Sequence, residues 1–587
     1  MDIKPTSRTI RQLLSSGDRY IIPRFQREYS WEDSNFREFL FDLGSNLSYS
    51  DGQILTSSYF IGNMLFVGDY DIPKTEYDVI DGQQRLTTIT ILFSVIAEHF
   101  NEIEETVHKE ETYKYIMTEM DSGRTARVLK SKTHDVFFAR YIQSVDKEKE
   151  IAPTSQEERN IQKAYEVLYK ATLEKNIKKS FSAIVPGIGS ATYADILIAI
   201  REQVLDTMCV AVYTKEGKNA NSIFEILNAK GKRLDNIDLI KNRIFTSLEE
   251  TEPYDRAYVK WKLLKETLYG TDHGVPLVTF YRHYWVSKYC PSAESKLFDH
   301  FRKNIDDDQH AYEDFLEDLC KNAENYMKIV NPDKVHYKYK KEYDYLVQCL
   351  WDLTFTFNIV QSRILLMAIY DLWDRKIIKL KDVESLVDYL VGFHFAYNFL
   401  LARRANVLDS KYGKYARELR KCGDTAKARK IIKKLQAELD DIYPSFDEFS
   451  EAFVKLTYTK KGSSDSDKSK YIIDKMYCHY EDRGSKLYSR EGTVEHIISE
   501  CNGEYAQHIG NLILLEKTLN NDADSMEYED KKAIYEKSSY KWVKRFIAEH
   551  NTWEKTDFEA RANEMARVFY YEVLNRPLPE VTLSAEV

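Results

Sequence analysis

The stretch from Val494 to Asn521 constrains this chain more than any other. Two apolar runs, residues 494–498 and 512–515, read as short strands, and residues 517–521 read as the start of a helix. The first strand carries Glu495 and His496, the second opens directly after Asn511, and the helix carries Asn520. Two strands and a helix this short form one small layer, so a carboxylate, an imidazole and two amides are expected in one place. These residue types suit phosphodiester hydrolysis. His496 can take a proton from water near neutral pH. Glu495 and Asn520 offer hard oxygen ligands for Mg²⁺ or another divalent cation, which would neutralise phosphate charge. The Asn511 amide can tie the loop between the strands and so fix His496. A Glu-His pair alone would read as surface or satisfied core; the two asparagines change that balance. Cys478, His479, Cys501 and His508 lie nearby, but no Cys-x-x-Cys pair exists to form half of a zinc site.

With 587 residues the chain is too long for one ordinary core, and two to four domains are expected. It is 43% hydrophobic and 30% charged, a globular balance. No run of about 18 apolar residues marks a membrane helix. No apolar signal core follows the first methionine, and seven scattered cysteines suit a reducing compartment, so a cytoplasmic location is expected. The net charge of −10 is awkward for a nucleic-acid enzyme, because phosphate contacts need Lys and Arg. Residues 401–436 compensate locally, with 12 Lys/Arg against three acidic residues. That stretch is either a DNA-tracking surface or a solvated helix face. The 42 tyrosines could stack on bases, although most are expected in cores and interfaces.

A second constellation sits near the N-terminus. Residues 77–80 read as a strand that runs into Asp81-Gly82-Gln83-Gln84-Arg85 and then a helix burying Leu86, Ile89, Phe93, Ile96 and Phe100. Gly82 permits a tight turn and close approach of a ligand. Backbone N–H groups at the helix start attract anions. Arg85 can grip phosphate oxygens, and Asp81 can bind a metal or orient water. A capped helix with a surface arginine would look the same. Further strands are expected at 18–23, 59–67 and 207–213, and helices at 34–48, 221–228 and 238–245, the second of these closed by Gly231. Residues 249–453 are helical in pattern almost throughout. The polar stretch 459–470 reads as a flexible linker. No Gly-x-x-x-x-Gly-Lys-Ser/Thr loop is present, which excludes a P-loop ATPase. The expected class is a multidomain α+β protein: a mixed α/β domain (1–245), a helical middle (246–458) and a ββα nuclease domain with its linker (459–587).

The C-terminal constellation resembles the HNH (ββα-metal) nucleases. More widely, Glu495-His496-Ile497, Ile509-Gly510-Asn511-Leu512 and Phe558 to Arg561 resemble the C-terminal half of GmrSD-type restriction enzymes, with Ser499 where that family usually has proline. The segment from Pro23 to Trp31, Phe60-Ile61-Gly62, and the segment from Phe224 to Gly231 resemble the ParB-like N-terminal domain of GmrS and its relatives. The domain order is similar to single-chain, type IV GmrSD enzymes and to the related SspE defence proteins. The resemblance implies an anti-phage endonuclease acting on modified phage DNA, with Mg²⁺ and a nucleoside triphosphate as cofactors. His496, Glu495, Asn511 and Asn520 would then be catalytic, with the metal on Glu495 and Asn520. Gln26, Arg27, Asp81, Gly82, Gln83, Gln84, Arg85 and Asn228 would line the nucleotide pocket, with Arg24 and Lys230 as further candidates. Nucleotide would set the state in which the nuclease acts. The rival reading is a nucleotide-dependent binding switch, or a toxin, whose HNH domain docks a partner or attacks host nucleic acid. No membrane partner is expected, and a homo-oligomer stays open.

Overall fold

A computed structural model describes residues 3–119, 123–215, 236–248, 255–270, 274–404, 406–462, 465–481, 487–489 and 491–578. By packing, the chain divides into two units: residues 1–258 with 307–312, and residues 259–306 with 313–587. The division falls near the expected end of the N-terminal domain. The helical middle and the nuclease segment share the second unit.

The first unit is organised by a six-stranded mixed sheet. Its described strands are β1 (Lys4–Thr9), β2 (Arg19–Ile22), β3 (Leu47–Ser50), β4 (Gln53–Thr56), β5 (Phe60–Val67), β6 (Glu76–Asp81), β7 (Met117–Glu119), β8 (Thr125–Arg127), β9 (Leu129–Ser131) and β10 (Met208–Thr214). The sheet order is β1-β10-β5-β6-β2-β9, and β3–β4 and β7–β8 are separate hairpins. β10 runs parallel to β5 and antiparallel to β1, whereas β2 is parallel to both β6 and β9. The expected strands at 18–23, 59–67, 77–80 and 207–213 are therefore present. The expected helix at 221–228, with Asn228, Lys230 and Gly231, lies outside the described residues.

The Gln83–Glu102 helix packs in the core of this unit. Leu86, Ile89, Phe93, Ile96 and Phe100 are buried as their spacing predicts. Ile91, Leu92 and Val95 are fully buried too. The reason is a second cover: the Gln156–Thr172 and Tyr193–Asp206 helices also pack on it. A helix apolar all round is a central helix. The two covering helices start at reciprocal capping boxes, Ser155 with Glu158 and Thr192 with Asp195.

Among its described residues, the second unit has no strands besides β11 (Gly492–His496) and β12 (Leu512–Glu516), which pair antiparallel with Glu495 opposite Ile513 and His496 opposite Leu512. The Leu277–Lys288, Ser362–Asp374 and Asn406–Arg420 helices pack mutually, burying Tyr281, Tyr284, Trp285 and Tyr370. The Leu380–His394 helix continues as a wider turn, Phe395–Leu400. Its Phe395 packs against Phe449, Tyr471 and Phe569. These rings join the helical middle to the nuclease segment within one core.

The stretch at 459–470 is not a free linker. A helix, Ser466–Tyr480, begins inside it, and Ser466 and Ser469 are buried. Ser466 Oγ lies 3.3 Å from both Thr459 N and Thr459 O, Ser469 Oγ donates to Thr457 O (2.8 Å), and Thr457 forms an antiparallel bridge with His508. Ser and Asp side chains bond backbone at turns and helix starts as readily as they dissolve a linker.

Candidate functional site

β11 places Glu495 and His496 on consecutive positions, so their side chains leave opposite faces of the strand. His496 is 3% exposed, and its Nε2 lies 3.0 Å from the carbonyl oxygen of Tyr458. A carbonyl only accepts, so Nε2 carries the proton and Nδ1 keeps its lone pair. Burial lowers the imidazole's pKa from its ordinary value, partly opposed by the Tyr458 carbonyl. The ring is therefore neutral at pH 7 and oriented as a proton acceptor.

Asn511 is fully buried at the mouth of β12 and uses both ends of its amide. Nδ2 donates to the carbonyls of Ile498 (2.8 Å) and Ala506 (2.7 Å). Oδ1 accepts from Ile498 N (2.9 Å) and from the Trp553 indole (3.1 Å). The loop that follows His496 is thus pinned to the start of the second strand. Gly510 beside it has a steric reason: a Cβ there would strike the Phe558 carbonyl. Arg561 completes the clasp, donating to Gly510 O (2.6 Å) and Leu512 O (2.8 Å) among the rings of Trp542, Phe546 and Trp553. Burial brings its pKa down to about 10. Asn520, on the Lys517–Ala523 helix, donates Nδ2 to Val494 O (3.1 Å) and so fastens the helix to β11.

Glu495 meets a group that the sequence reading missed. Lys531, on the Tyr528–Tyr535 helix, is fully buried, and its ammonium lies 2.6 Å from Glu495 Oε1 and 2.7 Å from His496 O. Tyr535 Oη also donates to Oε1 (3.0 Å). Burial raises the Glu495 pKa, and Lys531 and Tyr535 pull it back. A divalent cation beside this oxygen would face the lysine's charge at close range. Among the described residues, no group of three or more His, Cys, Asp or Glu is arranged to hold a metal ion. Lys531 and Tyr535 occupy Glu495 Oε1 and Asn520 spends its amide nitrogen on Val494 O, so the expected cation on these two residues would have to take Glu495 Oε2 and Asn520 Oδ1. The nearby sulfur and imidazole groups have separate partners: Cys478 with Leu487 O, His479 with Glu572, Cys501 with Ser499, and His508 with Gly510 N.

In the first unit, β6 ends at Asp81 and Gly82 turns into the Gln83–Glu102 helix at φ +101°, a value open to glycine, with Met64 so near that a Cβ would sit 2.8 Å from its Cγ. Gln83 Nε2 donates to Arg27 O (2.8 Å); Gln84 donates to Glu28 O (3.1 Å) and accepts from Ser30 N (2.9 Å). Gln26 Nε2 donates to Ile80 O (2.9 Å), and Lys241 Nζ donates to Gln26 O (2.8 Å). The three glutamines thus stitch residues 26–30 to the strand–helix junction. Arg85 donates to Ile61 O (2.9 Å) and to Asp81 Oδ2 (3.2 Å). Gln26, Asp81, Gly82, Gln83, Gln84 and Arg85 come together, and Arg27 joins through its carbonyl with its side chain exposed. Gln83 Oε1 is buried without a hydrogen-bond partner. Arg24 stands apart, donating to Leu248 O and paired with Asp255. Asn228 and Lys230 lie outside the described residues.

Two family models match this chain. That of the GmrSD restriction endonuclease N-terminal domain covers residues 10–245, and that of the GmrSD restriction endonuclease C-terminal domain covers residues 443–568. No curated protein matches it.

Proposed function

The chain belongs to the GmrSD restriction endonucleases, and on that premise we propose that His496 is the general base with which it cuts DNA, under the control of a nucleotide bound by the first unit. The observation that carries the proposal is the 3.0 Å contact of His496 Nε2 with the Tyr458 carbonyl. It fixes the tautomer, leaves Nδ1 as acceptor and aims the ring. In the step proposed, Nδ1 takes a proton from water as the water's oxygen attacks phosphorus; the bond from phosphorus to the sugar oxygen breaks, and that oxygen leaves with the electron pair and takes a proton from solvent. Asn511 and Asn520 do no bond chemistry. They hold the loop and the helix so that the imidazole keeps its direction. Glu495, paired with Lys531, holds the strand that presents it.

Regulation is read from the junction around Gly82. Three glutamine clamps and the Arg85–Asp81–Ile61 contacts tie two segments to the start of one central helix. A phosphate engaging Arg85 would have to compete with Asp81 and Ile61 O, and so would shift the elements that those groups hold. We take the nucleotide to be a triphosphate that is hydrolysed, and the substrate to be modified phage DNA.

The test is cleavage of supercoiled plasmid, unmodified and modified, by wild type, His496→Ala and Arg85→Ala, with and without nucleoside triphosphate. His496→Ala is expected to lose cleavage while still binding DNA. Arg85→Ala is expected to lose nucleotide hydrolysis and nucleotide-dependent control together. Equal cleavage by wild type and His496→Ala would remove His496 as the base.

A further inference from the structure

The basic stretch at 401–436 splits into two populations. Arg403 pairs with Glu448, Lys411 and Lys414 with Glu438, and Arg429 with Asp382. Arg417 donates to Val286 O, and Arg420 to Ser287 Oγ and Asn322 Oδ1. These cations hold the helical unit together. Arg404, Lys421, Lys427, Lys430, Lys433 and Lys434 are exposed and make no ion pair or side-chain hydrogen bond among the described residues.

Four of that second group lie on the Thr425–Asp440 helix. At about 100° per residue, Lys427, Lys430, Lys433 and Lys434 fall within an arc of roughly 120°. The apolar residues Ala428, Ile432, Leu435 and Leu439 are buried on the opposite side. Lys427, Lys430 and Lys434 form a row along the axis, about 4.5 and 6 Å apart in rise. The helix is capped by Asp424, which accepts from Lys427 N at its start, and the acids Glu438 and Asp440 come only in its last turn, where Glu438 is occupied by Lys411 and Lys414 and Asp440 by Arg576. A rigid row of unpaired ammonium groups on a chain of net charge −10 is a local exception to the field of the whole protein.

We propose that this face of the Thr425–Asp440 helix is the track on which the enzyme holds the phosphate backbone of duplex DNA, read without regard to sequence. The proposal rests on DNA being the substrate and adds where, and with how many charges, the duplex is gripped. Lysines without internal partners give up no fold contact when they bind phosphate, and each releases condensed counterions from DNA. A backbone track of this kind fits an enzyme that must scan many sites.

The test is fluorescence anisotropy of the full chain on a labelled unmodified 30-bp duplex across a potassium chloride series, in a His496→Ala background so that the duplex survives. Lys427→Gln/Lys430→Gln/Lys434→Gln is expected to reduce the slope of log K against log salt by about 2.7, at about 0.9 per phosphate contact, and to weaken binding by at least about tenfold at physiological salt. The matched arginine triple variant is expected to restore slope and affinity. Lys170→Gln/Lys175→Gln/Lys179→Gln, which removes three exposed charges from the first unit, controls for net charge and is expected to leave the slope unchanged. An unchanged slope in the first triple variant, or an equal fall in the control, overturns the proposal. So does a loss of binding to polyglutamate without a loss of binding to DNA, which would make the face an acidic-protein site. Because binding is read without cleavage, a track that fails in a chain that still cuts plasmid leaves the endonuclease reading intact. Absence of any DNA binding by the His496→Ala chain carrying all its lysines overturns both.

Discussion

Lys531 Nζ lies 2.6 Å from Glu495 Oε1, with the lysine side chain fully buried and that of the glutamate 3% exposed. Two opposite charges out of water hold each other only while both are present. Removing one leaves the other desolvated and unpaired, a loss of roughly 3–5 kcal/mol. Lys531→Met should therefore destabilise the second unit by that order, and Glu495→Gln by less, because a neutral amide still accepts from Tyr535. The double variant should recover part of the loss. Chemical denaturation of the four proteins, read as a double-mutant cycle, measures the coupling, and a coupling near zero would show that the pair does not act as a unit.

Asn511 should tolerate no substitution of its amide. Asn511→Asp keeps the shape but turns two donations, to Ile498 O and Ala506 O, into contacts between oxygens. Unsatisfied buried groups cost about 1–3 kcal/mol each. The aspartate variant is expected to lose more stability than Asn511→Ala and to lose plasmid cleavage, although Asn511 touches no reacting atom. Hydrogen exchange at residues 497–511 reads the loosened loop directly. Protection equal to wild type would contradict the role given to Asn511.

Acid should weaken the second unit through a buried histidine. His394 is fully buried; its Nδ1 lies 2.6 Å from Asn398 Oδ1 and its Nε2 2.8 Å from Tyr412 Oη. That arrangement satisfies the neutral ring, and burial takes its pKa down to about 4, as it takes that of His283 to about 3. A depressed folded-state pKa contributes stability that is present above the unfolded value of about 6.5 and is lost as pH falls toward the folded value. For His394 the loss is about 3 kcal/mol between pH 6.5 and 4. His394→Gln should flatten the melting temperature of the unit across that window relative to wild type. Parallel curves for the two proteins would remove His394 as the cause.

Gly82 should resist even alanine. At φ +101°, with Met64 Cγ 2.8 Å from where a Cβ would go, alanine carries both backbone strain and a close contact. A loss of about 1–3 kcal/mol is expected for the backbone alone. Because Asp81 and Arg85 flank the turn, nucleotide binding should fall more than the melting temperature of the first unit suggests. Calorimetric titration with a non-hydrolysable triphosphate, next to a thermal melt, separates the two effects, and a variant with unchanged affinity would sever the turn from the pocket.

The strands around Val494 and Leu512 were legible because unbroken apolar runs bounded by polar stretches leave few alternatives, and the helix after Arg85 was legible from its spacing. Lys531 was not. It sits in Glu-Asp-Lys-Lys, a pattern that ordinarily marks solvent, and only the fold brings it under β11. The start of the Ser466–Tyr480 helix was hidden because its serines serve turns and linkers equally well. In the basic stretch the partners that hold half the cations, such as Glu438, Asp382, Asp371 and the Val286 carbonyl, are assigned by packing; charge counting could not divide the fixed cations from the free ones.

The carbonyl that steadies His496 belongs to Tyr458, a residue that comes before the ββα segment in the chain and is itself tied to the loop after β11 by its N–H to Gln507 O. Any exchange of nuclease ends between chains of this kind, whether by recombination in nature or by cassette cloning, therefore has a preferred crossover. A junction upstream of Thr457 carries the whole proton-accepting device across intact. One placed in the polar stretch after it transplants the imidazole and leaves its support behind.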